Sequence, residues 1–336
     1  MIKNNKFYYN SLKNIVIIGS LASLEDLKKI NDVFNLNTYL ITSPSFKLKT
    51  KNIKTKLFNK LDKSFENYIK KSFNINETLF ACFGPRWIFG KKLISNIFRN
   101  NIINFHSTRL PIDSGSASFS WRVMRNDRLG NCLAHLVDAG VDTGPILKTH
   151  EFVFSKNCKT PFDFEKENNL HFLNFYKNLI SEIKSKKKYE LQHQTKNLRR
   201  YNPRLDTKIN GWIDWFNSSN EIYNFINAFD EPYQGATTYV GKTKVRLKDV
   251  HLHGGEIKGH PFSSGIVIRK GTDWLVVATT DDNCLIIKKI INSKNKNIFN
   301  QIKEGDRFYT PLKDLVYSRS KRVIYNSKSN KSLFKK

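Results

Sequence analysis

The residues best suited to chemistry in this chain lie between positions 104 and 142. Asn104 and His106 end an apolar, strand-like run, Asn101–His106, and alternate side chains on a strand share a face, so both point the same way. Downstream, Asp142 stands within Gly140–Gly144, where two glycines permit a tight loop close to a ligand. An amide, an imidazole and a carboxylate that converge can stabilise an oxyanion and move a proton. Such a set suits acyl transfer to an amine without a covalent enzyme intermediate.

Each of these residues also has an ordinary structural use, because a histidine at a strand end is often structural and an aspartate between glycines often forms a turn. Other nucleophile arrangements fit less well. The run Gly115–Phe119 resembles the G-x-S-x-G elbow of serine hydrolases but lacks its second glycine. The spacing alone therefore leaves both a catalytic and a structural interpretation open.

The elements that must position these residues form repeated strand–helix units. Apolar β-branched runs predict strands, and spacings of three and four predict helices, while residues 45–60 are expected to form a surface connection. The strands are Asn14–Gly19, Thr38–Thr42, Thr78–Phe83 and Asn101–His106, and the helices are Leu24–Val33, Phe65–Phe73 and Trp87–Phe98. This order predicts a Rossmann-like α/β fold, a mostly parallel sheet with helices on both faces, whose ligands bind beyond the carboxyl ends of the strands.

The loop after the first strand excludes two common cofactor classes. Gly19–Ser23 contains one glycine where the G-x-G-x-x-G dinucleotide fingerprint needs three, and the chain has no P-loop motif. Redox dinucleotide and P-loop nucleotide binding are therefore both disfavoured.

The second half of the chain has a different composition. A helix is predicted over Pro161–Ile183, and residues 187–208 are expected to be a linker that ends a catalytic domain of residues 1–208. A smaller β-rich domain, an OB-like barrel, is expected over 209–318, and a basic flexible tail over 319–336. Its strands are predicted at Ala236–Val240, Lys244–Leu247, Gly265–Arg269, Trp274–Thr279 and Cys284–Ile290.

Composition sets further limits on partners and compartment. The 336 residues carry a net charge of +28, but 43 lysines outnumber 14 arginines and are spread along the chain, which indicates anionic partners in general rather than nucleic acid. The four cysteines form no CxxC pair, so neither a metal site nor a disulfide framework is expected. The N-terminus lacks an apolar signal region and no run is long enough to cross a bilayer, so a cytoplasmic protein without membrane insertion is expected.

Three separated segments resemble the signature of the folate-dependent formyltransferases. They are Asn104–Pro111, with its Asn-x-His and Ser–Leu–Pro elements, Gly130–His135, and Val137–Ile146, which contains Asp-x-Gly-x-Asp-Thr-Gly. Further along, Arg200–Arg204, Asn210–Trp215 and Ala228–Ala236 are similar to the linker and second-domain entry of the methionyl-tRNA and sugar-nucleotide members. Glycinamide ribonucleotide formyltransferase lacks this second domain and is disfavoured.

The resemblance implies a role for each of the three polar residues. Asn104 would hold the formyl oxygen as it becomes an oxyanion, and His106 would handle the proton of the attacking amine. Asp142 would pair with His106 and organise the proton path. The formyl donor would be 10-formyltetrahydrofolate, used as a co-substrate without a metal.

The resemblance also implies two binding sets. The folate would lie between a strand-end loop and the aspartate loop, in contact with Phe83, Gly84, Arg86, Trp87 and Ile88 on one side and Val137, Gly140 and Val141 on the other. The acceptor would contact Ser107, Arg109, Gly115 and Arg122. One departure concerns this acceptor set: many relatives carry an arginine where this chain has Ser114.

Three interpretations of the function remain open, and the first two differ in the acceptor of the formyl group. The first is the amine of a nucleotide-linked amino sugar used for surface polysaccharide, which implies a small-molecule partner and, by analogy with sugar relatives, a homodimer. The second is methionyl-tRNA; against it, tRNA members carry Gly-Thr-Pro after strand one and an Arg-Gly loop, whereas this chain has Gly19–Leu21 and a loop Ser43–Lys56 without Arg or Gly. The third is a noncatalytic basic nucleic-acid-binding protein on the same scaffold, which gives no reason for an intact catalytic set. The amino sugar is favoured.

Overall fold

The computed structural model describes residues 2–3, 5–20, 23–46, 52–85, 87–254, 259–324 and 333–335. Packing divides the chain into two units. The first takes in residues 1–115, 129–153 and 167–201, and the second takes in 116–128, 154–166 and 202–336. The domain limits expected from the sequence, 1–208 and 209–318, stay predictions.

A seven-stranded sheet forms the centre of the first unit. In spatial order its strands are Lys54–Leu57, Asn37–Thr42, Asn14–Gly19, Thr78–Phe83, Ile102–His106, Leu129–Leu136 and Ile146–Val153. The first five run parallel, and Leu129–Leu136 runs antiparallel to both of its neighbours. The inner parallel strands are mostly apolar on both faces because helices cover both, whereas the edge strand Lys54–Leu57 is exposed. The carboxyl end of Ile102–His106 lies inside the sheet, between Thr78–Phe83 and the antiparallel strand Leu129–Leu136.

The two faces of this sheet bury different sets of side chains. On one face, Phe65 and Ile69 of the helix Lys63–Ser72 and Leu93 of the helix Lys91–Asn96 pack on Val16, Ile18, Ile41, Phe80, Cys82 and Ile102. On the other face, Phe83 and Phe105 stack with ring centroids 4.8 Å apart, and both rings meet Phe172 and Tyr176. These last two belong to the helix Pro161–Lys184, and Tyr176 donates a hydrogen bond to Asn31 of the helix Leu24–Val33. Asn104 is in register with Cys82 and so lies on the first of these faces.

Smaller elements complete the first unit. Ile2–Lys3, Lys6–Phe7 and Tyr189–Glu190 form a three-stranded sheet, and single turns of 3-10 helix occur at Ile75–Glu77 and Lys196–Leu198. The short strand Asp113–Gly115 follows the strand Ile102–His106, and the strand Arg200–Asn202 begins with a backbone hydrogen bond from Arg200 N to Ile112 O.

The second unit is built on a six-stranded antiparallel sheet. In spatial order the strands are Val267–Lys270, Leu275–Ala278, Cys284–Asn292, Thr243–His253, Ala236–Val240 and Phe308–Tyr309. Backbone hydrogen bonds from Phe308 N to Gly265 O and from Val267 N to Asp306 O join the two edges, so the sheet closes on itself. Its helices are Ser118–Met124, Thr207–Asn210, Ser219–Ala228 and Leu312–Ser320, with 3-10 turns at Pro261–Ser263 and Phe299–Gln301.

The predicted fold class, a mostly parallel α/β sheet followed by a smaller β-rich barrel, is confirmed. Three local predictions were wrong. Residues 45–60 include the edge strand Lys54–Leu57, whose polar composition hides it, and the helix expected over Trp87–Phe98 is only Lys91–Asn96 because Gly90 caps it. The tail expected to fray from 319 contains the strand Arg322–Ile324 paired with Leu333–Lys335; residues 325–332 and 336 lie outside the described residues.

The described residues also limit two other possibilities. No helix among them combines the length and the apolar character needed to cross a bilayer. Within the same part of the chain, no three His, Cys, Asp or Glu side chains group as metal ligands. All four cysteines are buried.

Candidate functional site

The strand Ile102–His106 and its antiparallel neighbour bring two polar side chains into contact. Asn104 is in register with His135 of Leu129–Leu136, and Asn104 Nδ2 lies 3.0 Å from His135 Nε2. His135 Nδ1 lies 2.8 Å from the carbonyl oxygen of Leu136, which only accepts, so Nδ1 carries the proton. In the neutral ring Nε2 is then an acceptor, which orients the Asn104 amide with its nitrogen toward His135.

Burial keeps this histidine uncharged. Its side chain is 3% exposed, and burial, followed by the charge of His106, lowers the pKa of His135. One Nδ2 hydrogen of Asn104 is used by His135 and the second remains available to a ligand. Asn104 Oδ1 is buried and has no hydrogen-bond partner among the described residues.

The loop that follows this strand carries Asp142 in a left-handed backbone conformation, with φ at 55°. Asp138 Oδ1 accepts hydrogen bonds from Gly140 N at 3.0 Å and Thr143 Oγ1 at 2.6 Å, which tightens the loop. Gly144 packs so closely on the strand that a Cβ there would collide with the carbonyl oxygen of Leu136. The two glycines noted in the sequence are thus required by contact within the loop.

This loop places the Asp142 carboxylate beside His106. His106 Nε2 lies 3.4 Å from Asp142 Oδ2, and His135 Nε2 lies 3.9 Å from Oδ1. Burial alone would raise the pKa of Asp142, but the hydrogen bond and charge of His106 outweigh it and hold that pKa below the ordinary aspartate value. The three residues predicted from the sequence, Asn104, His106 and Asp142, are therefore brought together in the first unit.

The hydrogen bonds of His106 define its chemistry. Its Nδ1 accepts from the Ser107 N–H at 3.2 Å, so the neutral ring carries its proton on Nε2, directed at Asp142. A second proton on this ring would be stabilised by the adjacent carboxylate. The site thus combines a free amide N–H, a proton acceptor and a fixed negative charge, which suits transfer of an acyl group to an amine.

His135 belongs to this site, but the roles implied by the sequence motifs did not include it. It lies within the quoted segment Gly130–His135 but received no function. The available signal was a lone imidazole among apolar residues in Cys132–Leu136, where an unpartnered polar group would be costly. Such a residue is expected to bind another polar group of the interior, here Asn104.

The residues predicted to hold the folate lie in several environments. Phe83 is 3% exposed in the aromatic cluster on the opposite face, so only its backbone can reach a ligand at this site. Trp87 and Val137 pack against the same apolar cluster that lies beneath Asn104. Ile88 and Val141 are 71% and 55% exposed, so both apolar side chains are accessible to a ligand.

The remaining members of that set are glycines and an arginine. Gly84 is exposed with φ at 52°, in the left-handed region that glycine tolerates. Gly140 donates its N–H to Asp138, and a Cβ at this position would collide with Thr143. Arg86 lies outside the described residues.

The predicted acceptor set divides in two. Ser107 and Gly115 are half-buried, and Arg109 binds Asp113 Oδ2 through Nε at 3.2 Å and Nη2 at 3.0 Å. Arg122 belongs to the second unit, is 1% exposed and lies 3.7 Å from Asp127 Oδ2. Because so deeply buried a guanidinium does not reach a ligand, we remove Arg122 from the acceptor set.

A segment expected to be a linker contributes contacts that the sequence did not indicate. Arg199 Nε donates to Ser114 Oγ at 2.9 Å. Arg200 Nη2 binds Asp113 Oδ1 at 2.5 Å, and Gln194 reaches the Asp142 loop. Arg199 thus brings a guanidinium against the side chain of Ser114.

Comparison with known proteins gives one family match and many relatives. A model of the formyl transferase C-terminal domain matches residues 207–304. The methionyl-tRNA formyltransferase of Thermodesulfovibrio yellowstonii is 25% identical over 71% of this chain and 76% of its own length. That of Desulfotalea psychrophila is 28% identical over 56% of each chain, and that of Clostridium perfringens 24% identical over 62% of this chain and 65% of its own. The latter two matches span less than two thirds of those relatives.

Solved structures give a second set of relatives. WlaRD, a sugar 3N-formyl transferase solved in the presence of dTDP and 5-N-formyl-THF, has a TM-score of 0.61 at 19% identity and covers 83% of this chain and 98% of its own. The N-formyltransferase from Helicobacter canadensis, in complex with folinic acid and dTDP-3-aminofucose, has a TM-score of 0.57 at 18% identity, with coverages of 82% and 99%. At such identities the likeness concerns the fold.

Proposed function

We propose that this chain is a folate-dependent formyltransferase and that it transfers a formyl group from 10-formyltetrahydrofolate to the amine of a nucleotide-linked amino sugar, for surface polysaccharide. The observation that carries the reaction is the cluster of Asn104, His106, His135 and Asp142, in which every polar contact supports the next. A structural role would explain any one of these residues but not the free N–H, the base and the carboxylate side by side.

The residues around this cluster fit a folate. Asn104 Oδ1 is a buried hydrogen-bond acceptor that can accept from a donor of the ligand. The exposed apolar side chains of Ile88 and Val141 can pack against an aromatic ring. Trp87 and Val137 supply the apolar support behind them. When bound, the folate supplies the electrophilic one-carbon unit.

The protein's own groups then act on the amine and the formyl oxygen. Asn104 Nδ2 donates its second hydrogen to that oxygen as negative charge develops on it, and His135 holds the amide in this orientation. The new carbon–nitrogen bond forms as the amine attacks, and His106 accepts at Nδ1 the proton that the amine loses, so that Nδ1 gives up its 3.2 Å contact with the Ser107 N–H. Asp142 stabilises the resulting imidazolium across the 3.4 Å contact. His106 then gives this proton to the folate nitrogen as the bond between that nitrogen and the formyl carbon breaks.

Three features support an amino sugar as acceptor. The sequence after strand one, Gly19–Leu21, and the loop Ser43–Lys56 both lack the elements of the tRNA members. The positive charge is carried mainly by dispersed lysines, not by the arginines that nucleic-acid sites favour. Two structural relatives that this chain covers over 98% and 99% of their length are described as acting on sugars or bound to an amino sugar nucleotide.

Methionyl-tRNA is the second candidate. The sequence matches described above are methionyl-tRNA formyltransferases, at 24% to 28% identity. The net charge of +28 would also favour a polyanionic acceptor.

One experiment separates the candidates. The purified protein is incubated with 10-formyltetrahydrofolate and either a panel of dTDP- and UDP-linked amino sugars or methionyl-tRNA, and formylation of each acceptor is followed by mass spectrometry, with His106→Ala as the control. We expect one amino sugar to gain a formyl group with the wild type only. Salt-sensitive binding of tRNA together with formylation of its methionine, and no reaction with any sugar, would overturn the assignment.

A further inference from the structure

The loop that carries Asp142 is held from within by Asp138, which accepts hydrogen bonds from Gly140 N and Thr143 Oγ1, but neither bond involves the backbone of Asp142. Its ends are fixed by backbone hydrogen bonds from Leu136 N to Pro145 O and from Val137 N to Ile102 O. Between them, Asp142 holds a left-handed φ, which costs a non-glycine residue about 1 kcal/mol or more unless other contacts impose it. The carboxylate therefore needs external contacts to stay 3.4 Å from His106.

The missing contacts come from residues 191–199. Gln194 Nε2 donates to the carbonyl oxygen of Asp142 at 3.1 Å and to that of Gly144 at 2.7 Å, so both hydrogens of one amide are used on the loop. Arg199 Nη2 donates to the carbonyl oxygen of Val141 at 3.0 Å. Three backbone carbonyls around the catalytic carboxylate are thus held by two side chains of one segment.

This segment is itself anchored at both ends. Gln192 and Ile146 exchange two backbone hydrogen bonds of 3.0 and 2.8 Å. At the other end Arg199 Nε rests on Ser114 Oγ, and Ser114 Oγ donates to Arg200 O at 3.1 Å. Ser114 is 1% exposed, so this anchor is buried. A segment fixed in this way can transmit its own position to the loop.

We infer that Gln194 and Arg199 are positioning residues that hold Asp142 against His106, and that Ser114 is the seat for the Arg199 guanidinium. The effect on kcat that this inference predicts rests on the proposed function, because it requires the protein to be a formyltransferase. Gln194 and Arg199 touch neither His106 nor the carboxylate in the contacts that define them, since they bind the backbone of the loop. Their loss should therefore misplace the carboxylate without removing it.

The test uses the full chain and compares three variants. Gln194→Met keeps the side-chain volume and removes both N–H donors. Gln194→Glu keeps the side-chain shape and places a hydrogen-bond acceptor against two carbonyl oxygens. Arg199→Lys keeps the positive charge but loses the planar guanidinium with its several N–H donors. Gln192→Ala is the matched control, because this neighbouring side chain is exposed. For each, kcat and KM for the amino sugar, the melting temperature and hydrogen exchange of residues 137–145 are measured.

We expect Gln194→Met and Gln194→Glu to lower kcat by at least about tenfold, because small misplacements of catalytic groups have large kinetic effects. KM should stay within about threefold, and Arg199→Lys should show an intermediate loss of kcat. Exchange should rise in residues 137–145 and not elsewhere, and Gln192→Ala should match the wild type. Unchanged kcat and exchange, or a uniform rise in exchange with a lower melting temperature, would overturn the inference.

The exchange measurement keeps this inference separate from the proposed function. If the wild type formylates no acceptor, the proposed function fails, while faster exchange confined to residues 137–145 in Gln194→Met still supports the role of this segment as the loop's support. Unchanged exchange in that variant would refute the support even if the wild type proves to be an active formyltransferase.

Discussion

Replacing Asp142 by asparagine removes one negative charge from the site and keeps its size. In the wild type this charge lies 3.4 Å from His106 Nε2, where an ion pair in an effective dielectric of about 20 contributes about 5 kcal/mol. The imidazole is 23% and the carboxylate 15% exposed, so solvent screening reduces this value. Taking about half, about 2.5 kcal/mol is lost when His106 becomes protonated, and at 1.36 kcal/mol per factor of ten the rate falls by about two orders of magnitude.

The assay is the rate of formyl transfer to the amino sugar identified by the acceptor panel, measured at saturating folate and at neutral pH. Asp32→Asn is the control, because this carboxylate pairs with Lys28 on an exposed helix surface and its neutralisation should change the rate less than about twofold. The melting temperatures of both variants should stay close to that of the wild type at this pH. A rate for Asp142→Asn within about threefold of the wild type would refute the role given to the carboxylate.

Three other predictions concern single side chains. His135→Gln should lower kcat by at least about tenfold. Because burial lowers the pKa of His135, the wild type should lose thermal stability as the pH falls from about 6.5 toward the folded-state pKa, more steeply than this variant. Parallel plots of melting temperature against pH for the two proteins would argue against a buried neutral ring. Gly144→Ala should displace the loop and lower kcat by at least about tenfold with unchanged circular dichroism, and wild-type kinetics would contradict the contact with Leu136. Arg122→Leu should lower the melting temperature by several degrees and leave KM for the acceptor unchanged, whereas a raised KM in a stable variant would restore Arg122 to the acceptor site.

The parallel core was predictable because its signals are local. Runs such as Asn14–Gly19 and Thr78–Phe83 are apolar on both faces, which is typical of a strand covered by helices, and both strands have the predicted bounds. Lys54–Leu57 was missed because an edge strand needs no apolar face, and its four residues are all exposed. The helix Lys91–Asn96 was predicted too long because Trp87 and Phe89 pack on the core from a loop while fitting a helical spacing.

In the site, Asn104, His106 and Asp142 could be singled out as candidates from strand alternation and a glycine-bounded loop, and the resemblance to a family gave them their roles. Contacts between distant segments could not be identified in this way. His135 reaches Asn104 only through an antiparallel pairing, and Gln194 and Arg199 lie in a stretch without periodicity whose position is set by tertiary hydrogen bonds. Arg122 was assigned to the acceptor because a sequence does not reveal that a charged side chain is buried.

The most direct test is a crystal structure of this protein with folinic acid bound. The account predicts that the pterin lies between residues 84–88 and the loop 137–142, with its formyl group within hydrogen-bond reach of Asn104 Nδ2 and beside His106. Folinic acid bound elsewhere on the chain, or bound with Asn104 and His106 facing away from the formyl group, would contradict it.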